Sequence, residues 1–175
     1  MLKALPKATE EILYWEDFSV GAEFEFGQKL VSREEIIAFA TQFDPQHFHV
    51  DEAAAAPSQF GGIIASGWHI CAMTMRMICD GFLLRTAGMG SPGVENVRWK
   101  IPVRPDDTIR VRAQVIESRP SSTRPEVGII RWRWRVLNQH DECVTEIEST
   151  GMFQRRPDGS ALGTVEVVSE FDAAL

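Results

Sequence analysis

The chain contains 175 residues, of which 44% are hydrophobic and 25% are charged. These proportions are typical of a globular protein, and the length predicts one domain that can bury a sizeable core. The formal net charge of −7 argues against nucleic acids and anionic membrane surfaces as the main partners. The longest apolar segment, at residues 68–78, is too short to span a bilayer and contains Arg76.

The cysteines and the N-terminus indicate the cellular compartment. The three cysteines show no CxxC spacing and are too few for a disulfide framework, which favours a reducing environment. No long apolar run follows the charged residues near the N-terminus, so no secretory signal is evident. We therefore expect a cytoplasmic protein.

In the first half of the chain, the sequence predicts an arm at residues 1–13 and a first strand at residues 24–31. A helix should follow, because Ser32 can cap it and Glu35 stands three positions later, as in a capping box. Pro45 disfavours the helical conformation of the residue before it, so we expect this helix to end before the proline and a loop to begin there.

The next segments predict a short helix at residues 51–56 and a long one at residues 67–80, with Ser66 as the N-cap of the second. The long helix is apolar nearly all round, and such a helix must be surrounded by protein. Its methionines, Met73, Met75 and Met77, are interpreted mainly as core residues, with lining of an acyl tunnel as the alternative.

After Gly88 the apolar residues recur with period two, which predicts strands separated by turns. The predicted strands cover residues 94–103, 108–118, 127–138 and 143–155. Helices followed by antiparallel strands indicate an α+β fold in which the sheet wraps around the long helix. The domain should span residues 14–156, and residues 157–175 are interpreted as a C-terminal tail.

Two motifs in the first half suggest a catalytic site. Asp44 and His49 stand five positions apart, and a carboxylate and an imidazole that share one water can move a proton. A glycine-rich turn follows, and the N–H of Gly67 at the start of the long helix can stabilise negative charge on an oxygen. The glycines of this turn, including Gly62, allow the backbone to approach a ligand closely.

The order and spacing of these residues resemble the MaoC-like dehydratases, a family that includes the R-specific enoyl-CoA hydratases. Asp44 and His49 match the family's catalytic pair by spacing. Asp51, Phe60-Gly61 and Ala65-Ser66-Gly67 follow in register. The chain differs from the family pattern at Phe43, at Gln46-His47 and at Ser66.

The resemblance covers roughly residues 14–155, and it implies a hotdog fold, acyl thioesters of coenzyme A as ligands, and a homodimer or higher homo-oligomer. It implies catalysis by Asp44 and His49, with Phe60, Gly62, Ser66 and Gly67 in the oxyanion and substrate-binding region. We expect a hydratase or dehydratase that acts on 2-enoyl thioesters and needs no cofactor beyond the coenzyme A of its substrate. The alternatives are a hotdog acyl-CoA thioesterase and a non-catalytic subunit that binds acyl-CoA.

Three other patterns have simpler interpretations. The sequence His47-x-His49-x-Asp51 looks like a metal site, but Glu52 stands where the metallo-β-lactamase signature has histidine, so no metal is expected. Ser66 does not fit the G-x-S-x-G pattern of a nucleophile. The arginines at positions 131, 133 and 135 could bind phosphate, but we favour their pairing with the glutamates at positions 146 and 148 on a neighbouring strand.

Overall fold

Five antiparallel strands curve around one long helix, α4 (Gly67–Gly81), in this computed structural model, which describes residues 11–157 and 159. Three shorter helices precede α4: α1 (Arg33–Phe43), α2 (His47–Val50) and α3 (Glu52–Ala55). The strands are β1 (Glu23–Leu30), β2 (Gly93–Trp99), β3 (Thr108–Pro120), β4 (Val127–Leu137) and β5 (Cys143–Gln154). Short 3-10 turns occupy Trp15–Asp17 and Leu83–Arg85. The α+β hotdog fold predicted from the sequence is confirmed.

The sheet has the strand order β1-β3-β4-β5-β2, so β1 and β2 form its two edges. Side chains alternate along each strand, and the apolar set faces α4. In β3 and β4 the members of this set are fully or almost fully buried: Ile109, Val111, Ala113, Val115, Ile130, Trp132, Trp134 and Val136. The period-two pattern of the sequence therefore identified the core face of both strands.

Helix α4 is less enclosed than its composition suggested. Ile70, Met73 and Met77 are buried against the sheet, but Trp68 is 60% exposed and Met75 is 46% exposed. The expectation that protein surrounds the whole helix is therefore not met within the described chain. One side of α4 stays open beside the edge strand β2.

The helix caps follow the sequence. Ser32 Oγ accepts a hydrogen bond from the N–H of Glu35 at 3.2 Å, and Ser66 Oγ accepts one from the N–H of Trp68 at 3.2 Å. Helix α1 ends at Phe43, and Asp44 leaves the helical conformation directly before Pro45. The carboxylate of Glu35 bonds Lys29 at 2.7 Å. The start and end of α1 therefore agree with the cap and proline signals.

The structure differs from the predictions at three places. The strand predicted for residues 94–103 ends at Trp99, since Pro102 has no N–H to continue the ladder. A short helix, α2, replaces the loop that was predicted after Pro45. Leu13 was assigned to the arm, yet it is buried, and its N–H donates to the carbonyl of Arg85 at 2.8 Å. Most of the predicted arm and tail lies outside the described residues.

The two ends of the described chain are held together. Arg156 donates to the carboxylate of Asp17 at 2.8 Å, and its guanidinium lies 4.7 Å from the centre of the Tyr14 ring. The Trp15 ring packs directly over Gly128 of β4, where an added Cβ would stand 1.9 Å from the ring. The segment before β1 is therefore fixed to the sheet by ionic, cation–π and packing contacts.

The arginine row of β4 pairs with glutamates of β5, as the alternation predicted. Arg131 and Arg133 both donate to Glu148, each at 2.8 Å, and Arg135 lies 3.6 Å from Glu146. These charges are satisfied within the sheet, which leaves no need for a phosphate to explain them. In the described part of the chain, no helix combines the length and the apolar character needed to cross a membrane.

Candidate active site

Asp44 and His49 meet at one point although they belong to different elements. Asp44 follows α1 and His49 lies in α2, and Pro45 forces the turn between them. His49 Nε2 lies 3.4 Å from Asp44 Oδ2. The histidine is buried, whereas the aspartate side chain remains 18% exposed. The predicted pair is therefore close enough to act on one water molecule.

A backbone contact fixes the tautomer of His49. Its Nδ1 lies 2.7 Å from the carbonyl oxygen of Ile64. A carbonyl oxygen only accepts hydrogen bonds, so Nδ1 must carry the proton. In the neutral imidazole, Nε2 then has the free lone pair, and it faces a carboxylate oxygen. Two acceptors this close favour a proton donor between them, and water can serve as that donor.

Asp44 is held in its ionised form. Ser66 Oγ donates to Oδ2 at 2.6 Å, and Gln46 Nε2 donates to Oδ1 at 2.8 Å. The hydrogen bond from Ser66 is the main cause that lowers the pKa of the Asp44 carboxyl below its usual value; burial acts in the opposite direction. Ser66 is fully buried, so its hydroxyl is committed to Asp44 and to the cap of α4.

Gly67 begins α4 and lies beside the pair. Its amide N–H has no acceptor within the described part of the chain, as expected for the first turn of a helix. Its carbonyl accepts a hydrogen bond from Trp99 Nε1 at 3.1 Å. A Cβ built on Gly67 would stand only 2.3 Å from the Trp99 ring. The N–H predicted as an oxyanion donor is therefore unpaired within the described chain, and the Trp99 indole packs against the same glycine.

A cavity of about 430 Å³ contains the pair. The residues that line it are Asp44, Gln46, His49, Phe60, Ile64, Ala65, Gly67, Trp68, Ile70, Trp99, Lys100, Ile101 and Pro102. It thus collects the end of α1, helix α2, the start of α4 and the chain that follows β2. Its lining is mainly apolar with a few polar side chains, which is typical of a ligand site.

The predicted site residues take different positions. Phe60 lines the cavity and packs on Phe48, with 5.0 Å between ring centres. Ser66 contacts Asp44 from behind and is not part of the cavity wall. Gly62 also lies outside the wall; Arg104 is the neighbour that a Cβ there would meet, at 3.8 Å. Its positive φ of 152° suits glycine because of the turn.

Sequence reasoning missed the residues contributed by the end of β2 and by the chain after it, above all Trp99 and Lys100. Both fitted the predicted strand, so nothing in their spacing marked them as part of the site. Pro102 was the available signal, because a proline inside a strand pattern indicates that the strand ends. Gln46 was noted as a departure from the family pattern, but its bond to Asp44 depends on the turn at Pro45.

The possible metal ligands are not brought together. His47 is exposed, and Asp51 Oδ1 accepts the N–H groups of Ala53 and Ala54, so it caps α3. Among residues 11–157 and 159, no group of three or more His, Cys, Asp or Glu side chains could hold a metal ion.

An apolar groove continues along α4 from the cavity that Asp44 and His49 line, which is the candidate catalytic cavity. It consists of two adjoining cavities of about 380 and 390 Å³ and is called the α4 groove below. Trp68 lines both the catalytic cavity and the first of these two. One stripe of the helix forms its wall: Trp68, Cys71, Met75 and Ile78. Ten residues of helix rise about 15 Å, which gives the length of this wall.

The comparisons with known proteins point to one family. The family model described as MaoC like domain matches residues 17–130. Protein YdeM of Bacillus subtilis is 33% identical over 141 residues, which cover 80% of this chain and 98% of YdeM. A 3-hydroxybutyryl-CoA dehydratase of Methylorubrum extorquens is 29% identical over 119 residues, covering 67% of this chain and 73% of that protein.

A solved structure is also similar. The crystal structure of the MaoC-like dehydratase from Rhodospirillum rubrum has a TM-score of 0.77 and 39% sequence identity, and the alignment covers 83% of this chain and 99% of that one.

Proposed function

Because the chain belongs to the MaoC-like dehydratase family, we propose that it is a hydratase that adds water reversibly to the double bond of a 2-enoyl-CoA. The observation that carries this proposal is the pair itself: an ionised Asp44 beside His49, whose Nδ1 is occupied by a carbonyl and whose Nε2 is free to accept a proton. Sequence similarity to a 3-hydroxybutyryl-CoA dehydratase supports the choice of reaction.

The proposed reaction needs one water and two protein groups. The water donates hydrogen bonds to Asp44 and to His49 Nε2, and the imidazole takes one of its protons as the hydroxyl adds to the β-carbon. The imidazolium then returns a proton to the α-carbon, so the product is a 3-hydroxyacyl thioester and the enzyme is unchanged. Asp44 orients the water and stabilises the imidazolium charge.

Negative charge collects on the thioester oxygen while the hydroxyl adds. The unpaired N–H of Gly67 is the donor that we assign to this oxygen, since Gly67 lines the same cavity as Asp44 and His49. The helix dipole of α4 favours negative charge at this end. No cofactor other than the coenzyme A of the substrate enters the proposal.

The α4 groove is the place that we assign to the acyl chain. It adjoins the cavity at Trp68, and its walls are apolar along the stripe that ends at Ile78. Burial of apolar surface there would favour acyl chains longer than four carbons by roughly 0.8 kcal/mol for each added methylene that is fully buried. We therefore propose a preference for medium or long unbranched chains.

We further propose a cytoplasmic homodimer. The described cysteines are all free, as a reducing compartment requires. Among the residues that the structure describes, edge strand β2 has no partner on one side, and exposed apolar side chains stand on or beside it. An unpaired apolar edge of this kind favours pairing with a second copy of the chain.

The test is an assay of the purified chain with trans-2-enoyl-CoA substrates of four to twelve carbons. A hydratase removes the enoyl absorbance without releasing free thiol, and Asp44→Asn abolishes this change. Release of thiol without loss of the double bond would instead identify a thioesterase. Binding with neither change would leave only an acyl-CoA-binding subunit.

A further inference from the structure

Trp99 has an unusual position for an aromatic residue on an edge strand. It is the last residue of β2 and is 48% exposed, so burial alone does not hold its ring in place. The backbone is fixed on both sides, because Trp99 pairs with Thr145 of β5 and the N–H of Lys100 donates to the carbonyl of Val144 at 2.8 Å. The indole therefore extends from a rigid strand end.

The indole contacts the first turn of α4 at several points. Nε1 donates to the carbonyl of Gly67, and the ring fills the space where a Cβ of Gly67 would be. The Trp68 ring meets it edge to face, with 5.6 Å between ring centres. The indole also lies near the thiol of Cys71, one turn further along the helix; burial raises the pKa of that thiol, and the indole opposes the rise. These contacts hold the segment that carries the unpaired N–H of Gly67.

We propose that Trp99 is a positioning residue, which fixes the first turn of α4 so that the Gly67 N–H receives the thioester oxygen. The inference rests on the proposed hydratase function. The proposal also explains the glycine at position 67. The absence of a side chain there leaves space for the indole, and the indole holds the Gly67 peptide group in place.

The role has a kinetic signature. A residue that only forms the wall of the cavity changes KM, because it contacts the substrate equally before and during the reaction. A residue that aims an oxyanion donor changes kcat, because that hydrogen bond strengthens in the transition state. We expect Trp99→Leu to lower kcat about tenfold and to change KM less than threefold; complete loss of an oxyanion donor costs roughly 100- to 1,000-fold.

The experiment compares Trp99→Leu, Trp99→Phe and Arg98→Ala. Arg98→Ala is the matched control, since Arg98 precedes Trp99 on the same strand, is exposed and lines neither the catalytic cavity nor the α4 groove. Trp99→Phe keeps a ring against Gly67 but loses the donor, so it should restore part of kcat. An unchanged kcat in Trp99→Leu, or a change in KM alone, would overturn the proposal, as would an equal loss in Arg98→Ala.

A measurement on the amide separates this inference from the proposed function. In 15N-labelled protein, Trp99→Leu should shift the Gly67 amide resonance and speed its hydrogen exchange, and Arg98→Ala should do neither. An unaffected Gly67 amide would refute the positioning role even if the enzyme is a hydratase. A wild type that hydrates no thioester would refute the function, and the amide result would still decide whether Trp99 holds the turn.

Discussion

Asp44 receives hydrogen bonds from two side chains, one from the turn that follows it and one from the start of α4. His49 is held in the same way, by a carbonyl fifteen residues further along the chain. Each partner in the pair is thus oriented by groups that do not react. These contacts favour the charged carboxylate and leave one imidazole nitrogen without a backbone partner, which suits the roles that we propose.

Removing either member of the pair should stop catalysis. Asp44→Asn and His49→Ala are each expected to lower kcat by about 100- to 10,000-fold, the usual contribution of general acid–base catalysis. The double variant should be little worse than either single one, since both groups act on the same water. Steady-state kinetics with the best enoyl-CoA substrate checks this, and circular dichroism confirms the fold. Near wild-type kcat in one single variant would exclude that residue.

Ser66 gives a prediction about pH. Its hydroxyl is the main cause of the lowered pKa of Asp44, so Ser66→Ala should raise that pKa. The acid side of the pH profile of kcat/KM should then move to higher pH. Ser58→Ala is a suitable control, because Ser58 also makes two hydrogen bonds but none to Asp44. An identical acid limb in wild type and Ser66→Ala would contradict the assignment.

The same hydrogen bond affects stability. A carboxyl whose pKa is lowered on folding stabilises the protein above its unfolded pKa of about 3.9 and loses that contribution as pH falls through the folded value. Ser66→Ala should therefore reduce the melting temperature more at pH 7 than at pH 3. The lost helix cap adds about 0.5–2 kcal/mol to the destabilisation at both pH values.

Gly67 illustrates how far the sequence could define the site. The glycine-rich turn correctly placed an unpaired N–H at the start of α4. The reason for a glycine there was expected to be close approach of the acyl group, whereas the structure puts the Trp99 indole in that space. Trp99 lies 32 positions away, and the hydropathy pattern carries no information about contacts between such distant residues.

Helix α4 separates two cavities. Ile78 faces the α4 groove, and the adjacent Met77 faces a larger cavity of about 630 Å³ between α4, α1 and β1. Both side chains are buried to the same extent. Neighbouring residues on one helix therefore give a matched pair for testing which side takes the acyl chain.

Ile78→Phe should shorten the groove. We expect it to lower kcat/KM for ten- and twelve-carbon enoyl-CoA substrates at least tenfold more than for the four-carbon substrate. Met77→Phe should leave the chain-length preference unchanged. The melting temperatures of both variants should be measured as well, because overpacking lowers the free energy of unfolding by about 1–3 kcal/mol. A change of preference in Met77→Phe instead would place the acyl chain in the other cavity.

The elements that were predicted well share a local signal. Helix α1 begins at a serine cap and ends before a proline, and the long strands β3 and β4 show regular alternation. Helix α2 was missed because four residues have no periodicity to detect, and its position depends on the contact between His49 and Ile64. The α4 pattern predicted burial but could not indicate which side stays open.

We expect two copies of the chain to form a dimer through β2. Exposed Val94 and Met75 would be covered by such a contact. Light scattering at micromolar concentration should give twice the 19.7 kDa mass of the chain. Val94→Lys should weaken the dimer, because lysine on an edge strand opposes pairing. A monomer mass for the wild type would contradict the prediction, and an unchanged dimer in Val94→Lys would place the contact elsewhere.

The strand order also governs the sequence of events during synthesis. Within residues 11–157, each edge strand is translated before the strand that pairs with it: β1 before β3, and β2 before β5. Strands β3, β4 and β5 follow one another in the chain and are also neighbours in the sheet. Until β5 leaves the ribosome, α4 has no finished sheet to cover its apolar face. Asp44, His49 and Gly67, to which we assign the chemistry, are therefore made early and assembled late. A nascent chain that stalls before β5 would expose an apolar helix to aggregation and carry Asp44 and His49 without a working site.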